Sequence, residues 1–142
     1  MKLVSVNVAV PKVVNINGKD ILTGIYKTLL QEATWAKRLG LDGDNQADKK
    51  VHGGPHQAVY CYPAEHYDFW QDTLSRKDLS AATFGENFTT SGLNESNVCI
   101  GDVFKIGEAV FQVTMPRIPC FKLAHKLGDK TRIKQFLHSG RS

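Results

Sequence analysis

The segment MPRIPC, residues 115–120, carries the side chain best suited to chemistry. Two prolines fix the backbone on either side of Arg117 and directly before Cys120, which predicts a rigid loop at a strand end. A short helix is expected to follow, so the sulfur would lie near a helix N-terminus, and this position together with Arg117 favours the thiolate. A thiolate attacks sulfur or binds a soft metal. Cys120 is therefore a candidate catalytic residue and metal ligand, and the spacing leaves a small core residue as the alternative.

A second segment, KKVHGGP at residues 49–55, combines cationic side chains with two consecutive glycines. Glycines let backbone N–H groups approach an anion closely, which suits a phosphate or a pterin. The candidate binding residues here are Lys50, His52, Gly53 and Gly54. The alternative interpretation is a tight surface turn whose dihedral angles require glycine.

A third segment, FGENFTT at residues 84–90, offers amide, hydroxyl and carboxylate groups at the entrance of a strand. Asn87 and Thr89 could read the edge of a heterocycle by hydrogen bonding. The alternative is that these side chains satisfy a buried turn. The stretches 40–55 and 84–92 are both interpreted as too polar to belong to the core.

Short strands and few helices must position these segments. Leu3–Val10 alternates valine with small or polar residues, as in a half-buried strand, and Asn17-Gly18 predicts a hairpin turn. The other predicted strands are Lys12–Ile16, Asp20–Tyr26, Gln57–Tyr62, Val98–Ile106 and Glu108–Met115. Helices are predicted after Pro63 and over Leu123–Leu127 and Lys130–Leu137. The fold expected is mostly β with short helices, a closed or nearly closed β-barrel.

Composition limits the classes of protein that fit. The 142 residues, 42% apolar and 23% charged, predict one folded domain over 1–142, with no run long enough to span a membrane and no secretory signal. A cytoplasmic protein is expected. The net charge of +4 comes from scattered basic residues, so nucleic acid is not the expected partner. Three cysteines without a CxxC pair indicate a reducing compartment, and Cys61 and Cys99 are expected to be core residues within strands.

Two long stretches carry a family resemblance. GLDGDNQADKKVHGGPHQAVYCYPAEHYDFW and FGENFTTSGLNESNVCIGDVFKIGEAVFQVTMPRIPC, in that order, closely resemble the MOSC domain family, named for the C-terminal domain of molybdenum cofactor sulfurase. The similarity is to its YiiM-like bacterial branch. It implies a mostly β-barrel fold that binds the molybdenum cofactor, a pterin dithiolene with a terminal phosphate. It also implies reduction of N-hydroxylated substrates, such as hydroxylaminopurine-type bases and amidoximes, to amines.

The resemblance also implies roles for residues. Cys120 matches the motif cysteine that is the candidate molybdenum ligand, or the persulfide carrier in sulfurase-like members. The remaining cofactor-binding candidates are Arg117 against the anionic cofactor, Lys50, His52, Gly53 and Gly54 along its pocket, and Asn87 and Thr89 at the pterin or phosphate. His52 is also a candidate proton donor, with a structural hydrogen bond as the alternative. Asp44 either caps backbone N–H groups or contacts the ligand.

The electrons for this reduction are expected from another protein. The sequence has neither a GxGxxG nucleotide fingerprint nor the four cysteines of an iron–sulfur cluster, so an external reductase is the predicted partner. Two other functions stay open. One is sulfur carriage by a Cys120 persulfide without molybdenum, and the other is a cofactor-binding module that catalyses nothing.

The family resemblance also bears on the C-terminal region. Relatives of this branch run on past position 142 through strands that help complete the barrel, and often into a small helical domain. The expectation is a single domain without those strands, either as a truncated form or as a homo-oligomer whose second copy covers the open sheet edge.

Overall fold

A four-stranded sheet and three separate hairpins make up most of the fold. The computed structural model describes residues 1–49 and 51–141, so Lys50, one of the predicted cofactor-binding residues, lies outside the described residues. The strands are β1 (Lys2–Val8), β2 (Lys12–Ile16), β3 (Lys19–Thr23), β4 (Thr28–Leu29), β5 (Ala36–Lys37), β6 (Gly40–Leu41), β7 (Cys61–Pro63), β8 (Phe88–Ser91), β9 (Val103–Ile106) and β10 (Ala109–Gln112). The helices are α1 (His66–Leu74), α2 (Phe121–Leu127) and α3 (Arg132–His138), with a 3-10 turn over Pro55–Gln57. The main sheet has the order β4-β1-β8-β7.

The hairpin predicted at Asn17-Gly18 is confirmed. Strands β2 and β3 pair antiparallel from Lys12 opposite Thr23 to Ile16 opposite Lys19. Asn17 and Gly18 both have positive φ, 54° and 80°, as the tightest hairpin turn requires. Local turn chemistry therefore fixes the register of this hairpin.

Strand β1 is half-buried as predicted, but its buried face is the polar one. Val4 is 51% exposed, whereas Ser5 is 8% and Asn7 0% exposed. The reason is the neighbouring strand β8, which turns Thr89 toward the same face: the Asn7 side-chain amide donates to Thr89 Oγ1 at 3.2 Å. A hydrogen-bonded polar layer thus replaces the apolar layer that the alternation normally places inside.

The segment Phe84–Thr90 is continuously buried, so the interpretation that it is too polar for the core is wrong. Glu86 has no exposed surface, and its burial is tolerable because four donors converge on its carboxylate. The backbone N–H groups of Ala82 and Phe84 donate at 2.7 and 3.1 Å, and Thr89 Oγ1 donates at 2.9 Å. The Tyr67 hydroxyl is the fourth donor.

An aromatic core packs between the main sheet and the helices. Tyr62, Trp70, Phe84 and Phe136 are fully buried, and the rings of Trp70 and Phe136 stack with centroids 5.3 Å apart. Trp70 Nε1 donates to the Tyr62 hydroxyl at 2.7 Å, which satisfies the buried indole N–H. This core anchors α1, α2 and α3 behind the loops that carry the candidate site.

The prediction of a mostly β fold with short helices is confirmed, whereas the closed barrel is not. The strands within the described residues form one four-stranded and three two-stranded sheets, and β7 pairs parallel with β8 across α1. Cys61 and Cys99 are both exposed, so the expectation that they are core residues is wrong. Cys61 does lie in a strand, β7, whereas Cys99 lies in a loop before β9. None of the helices described is long and apolar enough to cross a membrane.

Candidate functional site

A cavity of about 590 Å³, called here the large cavity, opens between several loops. Its walls come from segments within 23–27, 44–48, 51–52, 56–60, 85–87 and 114–122. Of the residues predicted from sequence, it brings together Cys120, Arg117, His52 and Asn87. Gly53, Gly54 and Thr89 are not among the residues that line it.

Cys120 is partly exposed, lines this cavity and directly precedes α2. Its backbone is extended, with φ −124° and ψ 171°, and no side-chain capping bond is made. The loop before it contains the buried Pro119 and is tied to the opposite wall by Thr114, whose hydroxyl donates to the His56 carbonyl at 2.7 Å. The rigid loop predicted from the two prolines thus presents the thiol to the cavity.

Arg117 reaches the cavity wall with a buried donor unused. Its guanidinium carbon lies 4.5 Å from the centre of the Tyr60 ring, a cation–π contact that holds the side chain in place. Arg117 Nε and the Tyr60 hydroxyl are both buried and find no hydrogen-bond partner among the described residues. Buried polar groups without partners are rare in native proteins. A ligand with an acceptor oxygen or sulfur in this cavity would supply the missing partner for Arg117.

Asp44 holds a second wall of the cavity together. Its Oδ1 accepts from Lys27 Nζ at 2.5 Å and from the Ala9 N–H at 2.8 Å, and its Oδ2 accepts from Asn87 Nδ2 at 2.8 Å. The Lys27 and Asp44 side chains are only 8% and 2% exposed. Burial lowers the pKa of Lys27, and the hydrogen bond to Asp44 opposes that shift. Asp44 accepts from a backbone N–H, which favours the capping alternative, and it also lines the cavity, where contact with a ligand stays a prediction.

Asn87 has no amide group left for a ligand, because its Oδ1 accepts from the Tyr60 N–H at 3.1 Å while Nδ2 is shared by Asp44 and the Asn7 carbonyl. Thr89 is equally occupied by Glu86 and Asn7. These contacts match the interpretation of both side chains as satisfying a buried turn.

The two consecutive glycines shape their own loop. Gly54 has φ +84°, and a Cβ on Gly53 would lie 2.8 Å from Gln46 Oε1 and 3.0 Å from Lys49 Cα. Both features fit the tight turn that was the alternative to an anion cradle. Contact between these glycines and a ligand stays a prediction.

Sequence reasoning missed three residues that line the large cavity: Lys27, Tyr60 and Lys122. Tyr60 lies in an apolar run that indicates a core position, and its side chain is in fact partly buried against the core. Lys27 and Lys122 are isolated lysines with no surrounding motif. Their role depends on loops that only tertiary structure brings together.

His52 should be neutral near physiological pH, since partial burial and then the charges of Arg117 and Lys122 lower its pKa, with Asp48 opposing them. We expect Arg117→Met to raise the pKa of His52, because one of the two cations is removed. Titration of the imidazole signals by NMR measures this. The control is Arg38→Met, an exposed arginine away from the cavity. An unchanged His52 pKa in the Arg117 variant would show that the two side chains do not interact.

Comparison with known proteins gives a consistent result. The family model described as MOSC domain matches residues 48–142. The Bacillus subtilis (strain 168) protein named Uncharacterized protein YflK is 50% identical over 138 residues, 97% of this chain and 62% of that protein. The crystal structure of YiiM from Geobacillus stearothermophilus superposes with a TM-score of 0.75 at 32% identity, covering 99% of this chain and 64% of that chain.

A more distant relative is a much longer protein. A Gibberella moniliformis (strain M3125 / FGSC 7600) protein named Reductase is 34% identical over 128 residues, 88% of this chain and 23% of that protein. The chain thus spans less than two thirds of the length of the relatives compared here.

Proposed function

Because the chain belongs to the MOSC domain family, in its YiiM-like branch, we propose that it binds the molybdenum cofactor in the large cavity and reduces N-hydroxylated substrates to amines. The observation that carries the proposal is the partly exposed Cys120 thiol on the same cavity as the unpartnered Arg117 Nε. A soft thiolate ligand and a free cationic donor are what a metal bound by an anionic pterin needs from a protein.

The residues present fit this cofactor. Cys120 is the side chain that would hold the metal, and Arg117, with Lys122 on the same wall, would face the phosphate or the dithiolene. When bound, the cofactor supplies a centre that exchanges two electrons and accepts oxygen from an N–OH group. Within the described residues no group of three or more His, Cys, Asp or Glu side chains is placed to hold a metal ion.

The reaction R–NHOH + 2 electrons + 2 protons gives R–NH₂ and water, so the chain must also handle protons. His52 lies on the cavity wall, where its neutral ring can hold an N–H toward the leaving oxygen. The electrons are proposed to come from an external reductase, since the sequence carries no nucleotide fingerprint or cluster motif. The relative named Reductase supports a redox role for this family module.

Metal analysis tests the proposal. The protein is purified from a host that makes the cofactor, and molybdenum and pterin are measured per chain together with reduction of 6-hydroxylaminopurine or benzamidoxime by a chemical electron donor. We expect a molybdenum-to-chain ratio near unity and a large loss of molybdenum in Arg117→Ala. Arg38→Ala, an exposed arginine outside the cavity, should retain the metal.

Active wild-type protein without molybdenum would overturn the proposal. If the molybdenum-free protein instead reduced neither substrate but gained one sulfur on Cys120 after incubation with a persulfide donor, whose outer sulfur it accepts, mass spectrometry would detect the added sulfur and sulfur carriage would take its place. Bound molybdenum with no reduction of either substrate would leave the non-catalytic binding module.

A further inference from the structure

Two buried hydrogen-bond donors on adjacent side chains of the large cavity have no partner among the described residues. The guanidinium carbon of Arg117 lies 4.5 Å from the centre of the Tyr60 ring, and both residues line the cavity. Arg117 Nε and the Tyr60 hydroxyl are buried, and neither atom makes a hydrogen bond within residues 1–49 and 51–141. Burying such a group without a partner costs free energy, because its hydrogen bonds to water are not replaced. The two donors therefore indicate a ligand that both of them contact.

The charge of this cavity favours a negative ligand. Among the described residues that line it, the cations outnumber the carboxylates: Lys27, Arg117 and Lys122 against Asp44 and Asp48. Lys27 is paired with Asp44, so the charge that an anion can meet comes mainly from Arg117 and Lys122. After burial, these two charges are the next causes of the lowered pKa of His52, another residue of the wall. Their positive potential therefore extends across the cavity.

Both donors are held in place by the fold. The Tyr60 N–H donates to Asn87 Oδ1 at 3.1 Å, and the Tyr60 carbonyl accepts from the backbone N–H groups of Asn87 and Phe88. Arg117 lies in the loop that contains the two prolines, and its guanidinium group stacks on the Tyr60 ring. Groups that are already ordered lose little freedom when a ligand binds, so such a pair can bind even a small ligand.

The Tyr60 hydroxyl acts toward an anion as a neutral donor. Burial raises the pKa of Tyr60, and the charge of Arg117 only partly opposes that shift. The hydroxyl therefore keeps its proton at physiological pH. A guanidinium N–H and a phenol O–H are directional donors, and they complement the oxygen atoms of an oxyanion better than they complement a spherical ion such as chloride.

We propose that Arg117 Nε and the Tyr60 hydroxyl together form a binding site for a small free oxyanion of the size of sulfate, which the chain fills when the large cavity holds no cofactor. The inference does not rest on the proposed function, because the site needs only residues of this chain. Tyr60 makes the site selective, since its hydroxyl adds a second directed hydrogen bond to the charge of Arg117. A bound oxyanion occupies Arg117, so it must leave before another anionic ligand can use the same donor.

Sulfate is the probe for this site because it stays doubly charged over the pH range of a histidine titration. The purified full chain, taken from a host that does not make the cofactor, is titrated with sulfate while chloride keeps the ionic strength constant. The imidazole signals of His52 are followed by NMR. We expect saturable shifts and a rise in the pKa of His52, because a negative charge bound beside Arg117 stabilises the imidazolium.

Tyr60→Phe isolates the hydroxyl, since it keeps the ring under Arg117. The dissociation constant for sulfate should rise at least about fivefold. The melting temperature without sulfate should stay the same or rise by about 2 °C, because the variant no longer buries a polar group that lacks a partner. The matched control is Tyr26→Phe: this ring also contacts cations, Lys12 and Lys126, but does not line the large cavity. Sulfate affinity should change less than about twofold in the control.

Arg117→Lys separates directed hydrogen bonding from charge, since lysine keeps the positive charge and lacks the Nε donor. It should weaken sulfate binding at least about threefold. Equal sulfate affinity in wild type and in either Tyr60→Phe or Arg117→Lys, or no saturable shift in wild type, overturns the site. Molybdenum is measured separately on protein from a host that makes the cofactor. A chain that binds sulfate as expected and holds no molybdenum contradicts the proposed function alone.

Discussion

Replacing Cys120 with serine is expected to lower the reduction of N-hydroxylated substrates at least about a thousandfold, equivalent to ~4 kcal/mol, while the fold stays intact. A hydroxyl gives up its proton far less readily than a thiol and is a harder ligand, so the variant would lose the proposed bond between residue 120 and the metal. The fold should tolerate the change because Cys120 is partly exposed and occupies the N-cap of α2, where serine is a preferred residue.

The chain supplies matched controls for this experiment. Cys61→Ser and Cys99→Ser make the same chemical change at exposed cysteines that do not line the large cavity. Both are expected to keep activity within about twofold of wild type. Steady-state rates, molybdenum per chain and the melting temperature are measured together for all three variants. Full activity of Cys120→Ser with normal molybdenum would remove the thiol from the reaction.

Local sequence signals predicted the features that depend on few residues. Asn17-Gly18 requires positive φ at two consecutive positions, and this alone fixes the β2–β3 hairpin. The two prolines before Cys120 likewise predicted an ordered loop leading into a helix, which the structure contains at α2. Because the same loop carries Arg117, the centre of the candidate site could be read from the sequence.

The features that sequence reasoning missed depend on distant partners. Glu86 can be buried only because donors from Tyr67, Ala82 and Phe84 surround it, and nothing in the local pattern shows those donors. Asn7 faces inward for the same reason, since strand β8 supplies Thr89 opposite it. A polar residue looks like surface until the groups that satisfy it are known. Lys27 was missed for the same reason, because it is held in the site by Asp44, which lies 17 residues further along the chain.

Glu86→Gln is expected to destabilise the fold by about 3 kcal/mol, the largest loss we anticipate for a change of so few atoms. The glutamine side chain has one acceptor oxygen, and its NH₂ group must then face one of the N–H or O–H donors that now point at the carboxylate. The substitution also removes a negative charge from the neighbourhood of Lys126, whose Nζ donates to the carbonyls of Ile25 and Ala82 at 3.0 and 2.6 Å.

This stability loss should depend on pH. Burial lowers the pKa of Lys126 to about 8 and Glu86 opposes that shift, so without Glu86 the pKa of Lys126 falls further. At a pH below the folded-state pKa of Lys126 in both proteins, the lysine is charged in both. The variant then lacks the whole attraction between this charge and Glu86. As pH rises through about 8 the lysine becomes neutral in both proteins, while the unfolded chain, with a pKa near ~10.4, still binds the proton. The deficit of the variant should therefore be largest near pH 6 and smaller at pH 9.

Urea unfolding at both pH values measures this difference, with Glu32→Gln, an exposed glutamate, as the control expected to show no change. An equal deficit at pH 6 and pH 9 would mean that Lys126 gains nothing from the Glu86 charge, and that hydrogen bonding alone holds the carboxylate in place. A deficit that shrinks with rising pH would identify Glu86 and Lys126 as a coupled buried pair. Thr89 is hydrogen-bonded to both Glu86 and Asn7, and the Asn7 carbonyl accepts from Asn87 in the cavity wall. Such a pair would therefore also stabilise the cavity wall.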